Sequence, residues 1–221
     1  MTYMTPSRMS LALGSIIAIS ALTTSAAWAA EPFYVGLQAG YEDTTSDRTF
    51  ETGVTEDKTI AGAAFGATLG AQYPLSFGYA AIELNVTDSS AEFDQTKRSS
   101  DGSFFNESTT SELGYGISTM LAFQVAQQTH VYGLVGYQQQ ELEFQARWFD
   151  ASTAVTTDAS TDETFGGARY GLGIHHELYD RVGVRLEVTR TDYSEESINL
   201  IGSRKIEPEQ DRIMLGLIGR F

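Results

Sequence analysis

Eight runs of this chain alternate strictly between apolar residues and small or polar ones. No segment carries a convincing helical period, so the chain is confined to strands whose two faces meet different surroundings. In "FYVGLQAGY", Phe33, Val35, Leu37, Ala39 and Tyr41 form one face, and Tyr34, Gly36, Gln38 and Gly40 form the other. The same partition recurs at 61–73, 79–87, 112–124, 130–138, 167–175, 182–189 and 212–221. The connections alternate as well. Short turns at 74–76, 126–128 and 179–181 are interleaved with long segments at 43–58, 88–111, 139–163 and 191–210. All long segments therefore leave on one side of an antiparallel meander, and all turns on the other.

Alternation alone does not say which face points outward, but the contents of the faces do. The interior of an eight-stranded barrel is only wide enough to be filled by side chains. Placing the Leu, Ile, Phe and Tyr of the apolar faces inside would overfill it. The opposite faces are largely glycine with scattered Glu, Arg, Gln and Tyr, and these fit. The pattern thus predicts an all-β fold, an eight-stranded antiparallel up-and-down transmembrane β-barrel with its apolar side toward lipid. Aromatic placement agrees: Phe33, Tyr73, Phe123 and Phe221 lie on the apolar face near the turns, and Tyr41, Tyr115, Tyr137 and Tyr170 near the long loops. These are two interfacial girdles.

Residues 1–29 read as an export signal: Arg8 is the positive element, 11–22 the apolar core, and Ala27-Trp28-Ala29 a small-x-small cleavage site. Residues 30–221 form the expected barrel domain. Cysteine is absent, which excludes disulfide frameworks, thiol nucleophiles and thiolate metal sites. After removal of the signal, 13 basic residues face 29 acidic ones. That balance excludes nucleic acid as a partner, since phosphate binding needs clustered Lys and Arg.

From about Phe33 onward the chain resembles the small eight-stranded outer-membrane barrel family, which includes the OmpA-type transmembrane domain, OmpX and Opa-like proteins. The resemblance implies residence in the outer membrane of a Gram-negative bacterium, among its lipids and lipopolysaccharide. It also implies that the terminal Phe221 is read by the barrel-assembly machinery, with Leu217 at the expected alternate position. Gly219, where an apolar side chain is more usual, departs from that pattern.

Six charges fall on the inward face: Glu83, Glu112, Arg169, Arg185, Glu187 and Arg212. Charges removed from bulk solvent must be paired, so Glu187 is expected to bridge Arg169 and Arg212, and Arg185 to reach Glu83. Such a network is either a structural plug or a gate in a narrow polar conduit. His130 and His175 share inward parity at the turn end and His176 points outward. No histidine stands near the loop rim, where lipopolysaccharide modification or proteolysis would need one, so no catalytic residues, metal site or cofactor are assigned. The four long segments hold 21 of the 29 acidic residues and form a negative rim, open to divalent cations or to a basic partner.

Within the third loop, "ELEFQARWF" alternates again. Its apolar residues are even-numbered, opposite to the strand it continues, so parity must change near 138–140, by a β-bulge or by turning the apolar side inward. Phe104, Phe105, Phe144 and Trp148 are the candidate contacts for a surface ligand. The expected function is a non-enzymatic integral outer-membrane protein serving envelope integrity or surface interaction; the alternative is a small porin-like channel for ions or apolar solutes.

Overall fold

The computed structural model describes residues 32–50, 55–199 and 203–221, so the expected export signal lies outside the described residues. Ten strands follow in order: β1 (Phe33–Phe50), β2 (Thr55–Leu75), β3 (Gly78–Ser89), β4 (Glu92–Arg98), β5 (Phe104–Ala126), β6 (Thr129–Asp150), β7 (Val155–Tyr179), β8 (Val182–Tyr193), β9 (Glu196–Asn199) and β10 (Ser203–Arg220). Eight of them close a ring in the order β1, β2, β3, β5, β6, β7, β8, β10, each antiparallel to its neighbours, with β10 returning to β1. Two-residue turns join β2 to β3, β5 to β6 and β7 to β8.

The sidedness follows the alternation. Leu37 and Leu172 are each 72% exposed on the outer wall, and Leu84, Leu186, Leu215 and Leu217 are exposed beside them. On the opposite face Arg169, Arg185, Glu187 and Arg212 are buried. The eight girdle residues Phe33, Tyr41, Tyr73, Tyr115, Phe123, Tyr137, Tyr170 and Phe221 all stand on the outer wall, between 45% and 59% exposed. Near the turns, Phe33 stacks on Phe221 at 6.3 Å, joining the first strand to the last. Phe123 stacks at 5.2 Å on Phe77, a turn residue the alternation did not reach.

The strands are far longer than a bilayer requires. A spanning strand needs about 9–11 residues, whereas β7 has 25, β5 23 and β6 22. The segments at 43–58, 139–163 and 191–210, together with 104–111, are thus largely continuations of the wall and not loops. Above the membrane the ring divides into two leaves. One is β9-β10-β1-β2 and the other β4-β5-β6-β7. On one side the strand pairing between them, among the described residues, is Ala61 with Glu92; on the other, β7 leaves β8 at the Gly167–Tyr193 pair.

Between the leaves lies a second core: Ile60, Ala91, Leu142, Phe144, Phe165, Tyr193 and Ile206, with Phe93 packed against it. Phe144 and Phe165 meet edge to face at 6.3 Å. Phe144 is therefore not a surface contact, being 1% exposed. Even-numbered residues of β6 face inward along its whole length, from His130 through Gln140 to Ala146, so this strand turns its apolar side inward without a bulge. The bulge sits on the neighbouring strand at the same height, where the β5 register slips between Ser111 and Gly114 opposite Leu142 and Gln140.

A charge on the outer wall within the apolar belt meets hydrocarbon. Leu172→Arg is expected to lower the unfolding free energy of the refolded barrel in lipid by about 2–4 kcal/mol, and Leu172→Ala by much less, measured by denaturant titration in bilayers.

Candidate functional site

Three ion pairs lie in the middle of the lumen, and one of them, Arg185–Glu83, crosses it from β8 to β3. Arg185 Nη1 donates to Glu83 Oε2 at 2.6 Å, Arg169 Nη2 to Glu187 Oε1 at 2.6 Å, and Arg212 to Glu42 Oε2 through Nη2 at 2.6 Å and Nε at 2.9 Å. Three carboxylates thus neutralise three guanidinium groups, and all six side chains are buried.

Two tyrosines complete the lower pairs. Tyr34 donates to Glu83 Oε2 at 3.0 Å and Tyr132 to Glu187 Oε2 at 2.8 Å, while both rings flank the Arg185 guanidinium at 5.5 Å. Their reach across the lumen depends on two glycines of the neighbouring strands. A Cβ on Gly70 would lie 2.1 Å from the Tyr34 ring, and one on Gly173 2.2 Å from that of Tyr132. The upper pair is held by an amide: Arg212 donates to Gln210 at 2.9 Å and Tyr193 donates to the same Gln210 oxygen at 3.1 Å, while the Gln138 oxygen accepts from both Asn85 at 2.9 Å and Arg169 at 3.4 Å.

The structure brings together Glu83, Arg169, Arg185, Glu187 and Arg212, with one exchange of partners. Arg212 does not reach Glu187. It stands directly opposite Glu42 in the β1–β10 ladder, whereas Glu187 stands opposite Met214 on the adjacent pair. Glu42 was legible as the next inward position after Tyr34, Gly36, Gln38 and Gly40, but it falls one residue beyond the first run as delimited by its apolar face.

Glu112 is displaced from the lumen altogether. The β5 bulge spans Glu112 and Leu113 and turns the carboxylate toward the outer acidic surface. Its pKa is raised there, first by desolvation and then by repulsion from Glu141, Glu143, Asp162 and Asp88. A further buried ion pair, Lys58 Nζ to Glu107 Oε2 at 2.8 Å, ties the two leaves together with the ammonium 4.5 Å from the Phe93 ring. Both members fall in the segments 43–58 and 88–111, which the alternation reads as loops.

Side chains fill the lumen at successive heights. Tyr79, Ala81, Met120, Ala122, Leu134 and Ile218 pack around Tyr34 and Tyr132 at the turn end, the ion pairs follow, and the second apolar core lies above. His130 and His175 are buried in the floor with their rings 6.3 Å apart; His175 Nδ1 lies 3.2 Å from the Tyr79 hydroxyl. His176 pairs with Thr129 Oγ1 at 3.0 Å. All three histidines of the chain therefore lie at the turn end.

At the far end of β5 and β6, aromatic pairs occupy both faces of the ribbon. Phe104 stacks on Phe149 at 5.3 Å, and Phe105 lies 6.4 Å from Trp148, which is 47% exposed.

Removing one member of a buried pair leaves an uncompensated charge. Arg185→Met, stranding Glu83, is expected to cost about 3–5 kcal/mol, and adding Glu83→Gln to recover a large part of it, read from urea midpoints of the refolded protein. Glu112 predicts a pH effect of definite sign. Because its folded pKa is raised, the ionised form burdens the fold at neutral pH, and the burden disappears as pH falls through that value. Glu112→Gln should raise the urea midpoint at neutral pH, with no gain below the ordinary carboxylate value of 4.5 and a smaller gain in high salt, which screens the repulsion and leaves the desolvation.

Among solved structures, the chain is similar to Ail, the attachment invasion locus protein of Yersinia pestis, in complex with the heparin analogue sucrose octasulfate. That match has 13% identity and a TM-score of 0.40, covering 86% of this chain and 99% of that one. Neisserial surface protein A matches at 13% identity and a TM-score of 0.41, covering 86% and 97%. The outer membrane protease OmpT of Escherichia coli matches at 10% identity and a TM-score of 0.48, covering 89% and 99%. None of the curated proteins compared with the chain matches it. Residues 10–221 match the family model described as the outer membrane protein beta-barrel domain. The closed ring, the outward apolar band and this match make the chain a member of that family, residing in the Gram-negative outer membrane.

Proposed function

We propose that this protein is a non-enzymatic surface-interaction protein whose membrane barrel serves as a rigid post for the two external leaves. One observation carries the proposal. The aromatic pairs Phe104–Phe149 and Phe105–Trp148 sit at the outer end of a continuous β5–β6 ribbon braced by the buried Phe144–Phe165 contact. Large aromatic groups exposed on a stiff support lose little conformational freedom on binding, which makes such residues effective anchors in interfaces.

The filled lumen supports this role over a channel. A conduit needs a polar path along its axis, and here apolar layers lie both below and above the ion pairs. The placement of the histidines supports the absence of catalysis, since the described outer rim offers no imidazole to act as a base beside its carboxylates. Envelope support follows from the same construction, as three ion pairs and a closed ring make a stable membrane insert.

Cells displaying Phe149→Ser and Trp148→Ser together are expected to lose most adhesion to an epithelial monolayer while keeping normal surface levels and heat-modifiable gel mobility. Unchanged adhesion with normal folding would remove the interaction role, and steady single-channel steps from the purified protein in a planar bilayer would favour the conduit.

A further inference from the structure

Above Tyr193 the wall is open along one seam. The Ser194 amide donates to the Gly166 carbonyl at 3.0 Å, and this is the last bond across it among the described residues. Beyond that point β8 continues as β9, which pairs only with β10, while β7 runs on to Val155 paired only with β6. The β7 edge from Val155 to Phe165 thus borders no other described strand.

The hydrogen-bonding direction on that edge is fixed. In an antiparallel strand the N–H and C=O of one residue point to the same side, and the side alternates residue by residue. Since Gly166 points across the seam, so do Thr156, Asp158, Ser160, Asp162 and Thr164. Their backbone groups form five evenly spaced positions for an added strand.

Of the usual protections of an edge, proline and lysine are missing here. Threonine recurs at 156, 157, 161 and 164, a composition that suits strand pairing. What the segment carries is negative charge. The side chains of Asp158 and Asp162 are exposed on the outer face of the edge, Glu163 is half-buried, and Glu195 and Glu196 are exposed across the seam. The only cations paired into this group are Arg147, 2.6 Å from Asp158, and Lys205, 2.7 Å from Glu195, among the described residues.

This charge pattern selects the occupant. Two copies of the chain joined edge to edge around Ser160 would place Asp158 of each opposite Asp162 of the other, and directly opposed like charges destabilise a strand pair. A strand with Lys or Arg four residues apart places cations there instead. Resting on the interaction role proposed above, we propose that the free edge of β7 receives an extended basic peptide of a partner protein as an added strand. Its backbone bonds to residues 156–164, and its cationic side chains lie over Asp158 and Asp162. The partner's backbone supplies affinity and its two cations supply register.

The test uses the full mature chain refolded in nanodiscs and a ten-residue capped peptide of alternating Thr and Val with Lys at its third and seventh positions. Saturable binding by fluorescence anisotropy is expected, with slowed hydrogen exchange at the amides of Thr156, Asp158, Ser160, Asp162 and Thr164. Ser160→Pro removes an edge-facing N–H without touching the β6–β7 ladder, and binding should weaken about fivefold to tenfold. Asp158→Asn with Asp162→Asn should weaken it further at low salt and abolish its salt dependence.

Should Ser160→Pro fail to fold, the same peptide N-methylated at both lysines and the threonine or valine residues whose amides face β7 must fail to bind. Three results overturn the assignment: no saturable binding, equal binding of a peptide with Glu in place of Lys, or a dimer of the mature chain that Ser160→Pro dissolves. Loss of adhesion in the Phe149 and Trp148 variant together with no peptide binding would reject the edge alone. Peptide binding with unchanged adhesion would reject the aromatic site alone.

Discussion

The constraint on which this molecule depends is a change of solvent along unbroken strands. Within the bilayer the outer wall meets hydrocarbon, so Leu37, Leu172 and Leu215 point out and Arg169, Arg185 and Arg212 point in. Above it the wall meets water, and the preference reverses: Leu142, Phe144 and Phe165 point in while Glu143 and Asp162 lie on the outer surface. Side-chain parity cannot change along a regular strand, so each strand must invert its sequence pattern or spend an extra residue. β6 takes the first course and β5 the second, at the same height.

The inward charges are a consequence of that arrangement. A face turned away from lipid is free to be polar, but once enclosed it must satisfy itself. The lumen does so with three opposite pairs, tyrosine donors and a set of amides, on strands that are distant in sequence: Glu42 with Arg212, Glu83 with Arg185. Glu42–Arg212 thereby supports the closure of the first strand on the last, and Glu83–Arg185 fixes β3 opposite β8 across the barrel, whereas Arg169–Glu187 ties the neighbours β7 and β8. The glycines opposite Tyr34 and Tyr132 belong to the same device, since the cross-lumen contacts exist only where a neighbouring strand omits its side chain.

Most of this was legible in the sequence wherever the pattern was long and its environment constant. The eight membrane strands, their order, the turns between them and the girdles follow from period-two alternation and the placement of aromatics. What was not legible lies where the environment changes. Residues 141–149 read as a strand beyond the membrane whose parity has two explanations, a bulge or an inward apolar side, and only the register against β7 decides for the second. Glu42 and Lys58 escape the alternation because each is an inward member of a strand that continues past its apolar run. Glu112 was misplaced because a bulge is a local event, visible only when two neighbouring strands are set in register.

The same constraint places the seam. Inside hydrocarbon an unpaired edge is untenable, since no water is present to bond its backbone groups, and there the ring is closed at every level. The β7–β8 pairing ends at Gly167 and Tyr193, just above the Tyr170 girdle residue. From there on water can satisfy an edge, so the leaves are free to part, held together by the core between them and by Lys58–Glu107. An open edge in water carries the hazard of unwanted pairing, and its acidic side chains act against the partner always at hand, another copy of the chain. The negative rim is in this sense the counterpart of the glycine-rich lumen: each is the composition that lets an eight-stranded wall stand in the medium it happens to face.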